Sequence, residues 1–198
     1  MAADPHRHMS VEEYLELDRN SLDIKYEYID GVAYEIRNPQ ANACGSAAHS
    51  WIAVNVVVLL QKRLQSGPCR VFNSDMRVMI SRDRYTFPDV SVSCAPEDLH
   101  EEGDTISSPR LIVEVLSPST EAYDRGKKFA YYQQLPSLQE YVLVNSQRQT
   151  VEVFTREDNG WRYHLYRAGQ TVLLTSLNTS CNINEFYERI NIPTNDKP

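Results

Sequence analysis

Glu114 stands inside Leu111-Ile-Val-Glu-Val-Leu116, a run that is otherwise aliphatic and rich in β-branched residues. Such a run reads as a strand buried on both faces in the middle of a sheet. A carboxylate there costs several kcal/mol unless it is neutralised, hydrogen-bonded or bound to a metal. A salt bridge to an arginine from elsewhere would satisfy it as well as chemistry would. Asp89 supplies a second carboxylate, because Pro88-Asp89 opens the strand predicted over Phe87 to Ser93. A Pro-Asp pair at a strand start also serves as a plain turn. Two carboxylates on neighbouring strands repel each other, so together they suit a bound Mg2+ or Mn2+, ions that prefer oxygen ligands. An ion held that way can polarise a phosphodiester and lower the pKa of an attacking water.

That chemistry also calls for a positive side chain near the nucleophile. Asp124, Lys128 and Tyr132 follow one another at steps of four and share a helix face. The aromatic one step beyond Lys128 places this lysine on the inner side, with Lys127 toward solvent. An ordinary Asp124–Lys128 surface pair has the same spacing. Three further residues form a second group. Glu27 lies in a predicted hairpin and either faces solvent or completes an acidic site. His49 lies on an apolar helix stripe, as a hydrogen-bonded core residue or as a holder of a water or phosphate oxygen. Tyr132 belongs to the core or supports the site from behind.

The elements that must position these groups are legible from pattern. Ser10-Val-Glu-Glu13 is a capping box that opens a helix through about Leu17. Asp30-Gly31 between Tyr26–Ile29 and Val32–Ile36 is the favoured pair for a type I′ hairpin turn. A long helix is predicted over 42–64, with His49, Ala53, Val56, Val57, Leu60 and Leu64 on its buried stripe and Gly67-Pro68 beyond its end. Short strands follow at Arg70–Asn73 and Met76–Ile80, then Phe87–Ser93, an acidic loop over 95–108 and the Glu114 strand. A helix over 121–135 is stopped by Pro136, and Glu140–Val144 is another apolar strand. Alternating strands at 150–155, 161–166 and 171–174, then a closing helix at 184–190, read as an antiparallel extension. The expectation is one α/β domain over 1–198: a core at about 42–145 around a mixed sheet, with a helix and hairpin at 10–36 before it and the extension at 150–190 after it.

Composition sets the outer limits. With 198 residues, 41% hydrophobic and 24% charged, the chain is long enough to bury a core without a structural metal or disulfides. Cys44, Cys69, Cys94 and Cys181 are far apart in sequence and form no CxxC pair, which argues against a zinc ribbon or a redox motif. The longest apolar run, Val56–Leu60, is far too short to span a bilayer, and a cytoplasmic location with no membrane partner is expected. A net charge of −7 argues against sequence-indifferent coating of nucleic acid. A local acidic site for metal ions is compatible with it.

Taken together, Met9–Leu15, Tyr26–Gly31, Phe87-Pro-Asp-Val90, Leu111–Thr120, Asp124–Tyr132 and Glu140–Val144 resemble a bacterial family of restriction endonucleases with a PD-(D/E)XK core. The resemblance covers about residues 9–190, and Leu111–Tyr132 is its specific part. It implies a restriction-endonuclease-like fold in which Asp89 and Glu114 bind the metal, and a homodimer that cuts DNA. The superfamily's lysine lies two residues after the glutamate, where this chain has Leu116; by resemblance, Lys128 of the following helix replaces it. The alternative is a catalytically inactive nuclease-like fold used as a binding or assembly module. Leu116 and the net acidity point that way, whereas the set Asp89, Glu114 and Lys128 points to an enzyme.

Overall fold

The computed structural model describes residues 6–22, 24–37 and 46–192. Strand β1 (His6–His8) leads into helix α1 (Val11–Asn20), where Ser10 and Glu13 exchange both reciprocal bonds of a capping box. Strands β2 (Lys25–Ile29) and β3 (Val32–Arg37) form the expected hairpin, and its turn residues Asp30 and Gly31 have φ of 53° and 89°. Both positive values are what a type I′ turn requires. Helix α2 (Ala47–Leu64) is capped by Ser46, whose Oγ accepts from the His49 N–H. Residues 42–45 of the predicted helix, Cys44 among them, lie outside the described residues. Ile52 and Leu59 join Val56, Leu60 and Leu64 on its buried stripe, while His49, Ala53 and Val57 are half-buried.

The strands that follow are β4 (Arg70–Asn73), β5 (Arg77–Ser81), β6 (Arg84–Thr86), β7 (Val90–Ser93), β8 (Thr105–Ile106) and β9 (Pro109–Leu116). The stretch expected to be a single strand over Phe87–Ser93 is therefore divided. Its first residues, 87–89, are irregular and link β6 to β7. Pro88 has no N–H to give a ladder, so the chain leaves one sheet there and enters another. Helix α3 (Glu121–Tyr123) continues through a π-helical turn, Asp124–Lys128, into α4 (Phe129–Tyr132), where a single α-helix is expected from sequence. Strands β10 (Glu140–Asn145), β11 (Thr150–Glu157), β12 (Gly160–Arg167), β13 (Thr171–Leu174) and β14 (Thr179–Asn182) precede α5 (Ile183–Phe186), which is shorter than expected.

Among the described residues two six-stranded sheets form, in the orders β12-β11-β10-β9-β7-β4 and β1-β3-β2-β6-β5-β8, and β13 pairs with β14 apart from both. In the first, β9 pairs parallel with β10 and antiparallel with β7, so the central sheet is mixed and Glu114 lies in its middle. Its two faces bury different partners. Leu111, Val113 and Val115 pack with α2 and α5. Ile112 and Leu116 pack with Tyr132, Leu135 and, from the second sheet, Val78, Ile80 and Ile106. Alternation along the strand puts Glu114 on this second face, between the α3–α4 segment and the N-terminal sheet. Cys69 and Cys94 bracket the β4–β7 pair and are joined in a disulfide, and Cys181 is free and buried. Among the described residues no helix is long and apolar enough to cross a membrane.

Gly126 is inside the π-helical turn, and a Cβ added there meets no atom within 4 Å. Gly126→Ala is expected to raise the unfolding free energy by about 0.5–1 kcal/mol, through the entropy of the unfolded chain. Urea unfolding measures it, and a loss of stability would mean that the bulged turn itself depends on glycine.

Candidate active site

Glu114 is 3% exposed and shares its carboxylate among three elements. Lys128 Nζ, from the π-helical turn, lies 2.9 Å from Glu114 Oε1. The Tyr132 hydroxyl, from α4, donates to the same oxygen at 3.0 Å. Glu114 Oε2 receives the backbone N–H of Asp89 at 3.3 Å. Asp89 answers in kind, since its Oδ2 accepts the backbone N–H of Val115 at 2.7 Å. This reciprocal latch ties the Pro-Asp crossover to the centre of β9. His49 Nε2, near the start of α2, lies 3.2 Å from the same Asp89 oxygen.

The N-terminal sheet closes the site. Glu27 of β2 is buried, with Oε1 at 3.5 Å from Lys128 Nζ. It also accepts the Phe87 N–H and the Tyr123 hydroxyl, each at 3.3 Å. Asp124 Oδ1 is 3.9 Å from Lys128 Nζ. The side chains of Glu27, Glu114, Asp124 and Lys128 are all 8% exposed or less, against 19% for Asp89 and 22% for His49. Asp89 and His49 are thus the more solvent-exposed members of the cluster.

The structure brings Asp89, Glu114, Lys128, Glu27, His49 and Tyr132 together, all of them residues singled out from sequence. Glu27 is an inward residue rather than a solvent-facing hairpin carboxylate. Lys127 is exposed and Lys128 buried, as their spacing implies. Leu116 is in the apolar core beneath the α4 segment, and the lysine of the helical segment reaches Glu114 instead. Sequence reasoning misses Thr86 and Tyr123. Tyr123 precedes Lys128 by five residues, a separation that α-helical spacing does not align and that the π-helical turn does. Thr86 gives no signal of its own, because its contact with Tyr132 exists only across the two sheets.

Four carboxylates, Glu27, Asp89, Glu114 and Asp124, meet two basic groups, Lys128 and His49. Several of these groups hold their protons more tightly than usual. Burial pushes the Glu114 carboxyl up to about 8, against the pull of Lys128 and with the push of Asp124 and Asp89. Burial likewise raises Asp124. For Lys128, burial works against the charge, but Glu114 and its acidic neighbours outweigh it and hold the ammonium well above its ordinary range. His49 is raised in the same way, burial being offset by the hydrogen bond and charge of Asp89. This excess of carboxyl groups over basic ones, all with hard oxygens, fits a divalent cation at Asp89 and Glu114, whose charge would favour their ionised forms. Among the described residues no three His, Cys, Asp or Glu side chains form a ready-made metal cage. Two carboxylates and retained waters are the set that Mg2+ commonly accepts.

A mixed sheet carrying a Pro-Asp crossover and a central glutamate, backed by a lysine from the next helical segment, defines a nuclease-like protein of the restriction-endonuclease-like fold. The chain belongs to the Uma2 family, described as "putative restriction endonuclease", which it matches over residues 11–184. It is 40% identical over 185 residues to the uncharacterized protein slr1290 of Synechocystis sp., covering 92% of this chain and 93% of that one. A second Synechocystis sp. protein, the uncharacterized sll1609, is 31% identical over 156 residues, 77% of this chain and 84% of that one. Among solved structures, a "putative nuclease belonging to DUF820" from Anabaena variabilis superposes with a TM-score of 0.71 at 21% identity, covering 90% of this chain and 97% of that one. That likeness shows the fold.

The raised Glu114 carboxyl has a direct consequence for stability in chelator. A carboxyl raised by folding contributes stability that is fully present below its unfolded value, 4.5, and is lost as pH rises toward about 8. Glu114→Gln removes this dependence. Its stability relative to the wild type is expected to rise between pH 5 and pH 8, as read by urea unfolding in EDTA. A difference that does not change with pH would contradict the incomplete compensation of the buried carboxylate.

Proposed function

We propose that this protein is a metal-dependent endonuclease that hydrolyses phosphodiester bonds in DNA. The carrying observation is the latch between Asp89 and the Glu114 strand, with Lys128 2.9 Å from the same glutamate. Membership of the Uma2 family and the nuclease fold support the same reading. Asp89 and Glu114 would hold Mg2+ or Mn2+, which when bound supplies Lewis acidity toward a phosphodiester and a more acidic water. Lys128 orients the attacking water and offsets charge that develops on the phosphorus oxygens. Glu27 and Asp124 keep the lysine charged and fix it in place. His49, one of the more exposed members of the cluster, meets a phosphate oxygen of the incoming strand.

A homodimer would present two such sites to two strands. Strand β12, the largely exposed edge of the central sheet, is the surface through which a second copy could pair.

The test is cleavage of supercoiled plasmid with Mg2+ or Mn2+, with and without EDTA. The wild type is expected to nick or linearise the DNA only with free metal. Asp89→Ala and Glu114→Ala should each lower the rate at least ~100-fold, and Lys128→Ala by a similar factor. Wild-type protein that binds DNA and leaves it intact in both metals would contradict the proposal and favour an inactive, nucleic-acid-binding fold.

A further inference from the structure

We infer that Tyr132, itself held by Thr86, is a positioning residue that reserves one oxygen of Glu114 for the cation site. It rests on the metal reading above. Glu114 Oε1 receives two donors, the Tyr132 hydroxyl at 3.0 Å and the Lys128 ammonium at 2.9 Å. Two donors fill the two lone pairs of a carboxylate oxygen. Oε2 receives the Asp89 N–H at 3.3 Å, beyond the usual range for a strong N–H···O bond. The better oxygen for a cation shared with Asp89 is therefore Oε2.

Thr86 sets the direction of this arrangement. Its Oγ1 donates to the Tyr132 hydroxyl oxygen at 3.1 Å, which leaves the one phenolic proton for Glu114. Thr86 and Tyr132 are both 0% exposed, so water is no substitute for either donor. The relay starts on β6 of the N-terminal sheet, passes through α4 and ends at the centre of the other sheet. The second sheet therefore fixes a carboxylate that it does not itself carry. Without the phenolic donor, Glu114 is free to turn both oxygens toward Lys128, drawing Oε2 away from Asp89. Of the two contacts that remain, the charge-assisted one to the Lys128 ammonium at 2.9 Å is stronger than the 3.3 Å bond from the Asp89 N–H, so the carboxylate follows the lysine.

Tyr132→Phe, Thr86→Val and Thr86→Ser test this by two readouts. In metal-free crystals, Tyr132→Phe is expected to show Glu114 turned toward Lys128, with Oε2 no longer facing the Asp89 N–H. In calorimetric titration with Mn2+, Tyr132→Phe should bind about 10-fold more weakly than the wild type. Thr86→Val should bind a few-fold more weakly, and Thr86→Ser, which keeps the hydroxyl, should restore wild-type affinity. A purely structural tyrosine would lower the urea midpoint without moving the carboxylate or the Mn2+ affinity. Glu114 unmoved in Tyr132→Phe, together with wild-type Mn2+ affinity, would overturn the role. Should Tyr132→Phe fail to fold, Thr86→Val decides by the same two readouts. Wild-type protein that takes up no Mn2+ would instead sink the metal reading, and the orientation of Glu114 in the crystals would then decide alone whether Tyr132 positions it.

Discussion

A carboxylate in the middle of a strand buried on both faces must be compensated, and much of this molecule is arranged around that requirement. Glu114 is on β9, with parallel and antiparallel neighbours on its two sides and packed layers above and below. Leaving such a group unpaired would cost several kcal/mol, a large share of the stability of a domain. Three elements meet the requirement: the π-helical turn brings Lys128, α4 brings Tyr132, and the Pro-Asp crossover brings a backbone N–H. Compensation is nevertheless partial. The carboxylates Glu27, Asp89 and Asp124 crowd the same volume, so Lys128 and His49 bind their protons tightly and the Glu114 carboxyl is itself pushed up to about 8. Four carboxyl groups around one lysine and one histidine are what support the proposed cation site.

The two sheets divide the labour. The central sheet carries Glu114 and, through β9, the backbone N–H that fixes Asp89. The N-terminal sheet supplies Glu27 against Lys128 and Thr86 against Tyr132. Asp89 stands where the chain passes from the second sheet to the first, so the crossover positions one acid in register with the other. Helix α2 covers the opposite face of the central sheet, yet its first turn reaches round to place His49 on Asp89 at the solvent side.

The parts governed by local pattern were legible from sequence. Ser10 and Glu13, Asp30-Gly31, the aliphatic run around Glu114 and the inward Lys128 each follow from spacing or composition, and each holds in the structure. What local pattern could not carry is the division into two sheets. Arg84–Thr86 and Val90–Ser93 are close in sequence, and only Pro88 marks the break between them. The same limit hid Thr86, whose partner Tyr132 lies 46 residues away. Tyr123 was hidden by the π-helical turn, since the α-helical period assigns it to a different face from Lys128. Glu27 looked like a hairpin surface residue because the hairpin was legible and the sheet that buries it was not.

In the proposed mechanism Asp89 and Glu114 together hold a divalent cation. Crystals soaked in MnCl2 and measured at the manganese absorption edge test it most directly. One anomalous peak in contact with both carboxylates is expected, absent from Glu114→Ala crystals treated in the same way. No peak between Asp89 and Glu114 at saturating manganese, with both side chains ordered and still latched to each other, would contradict it.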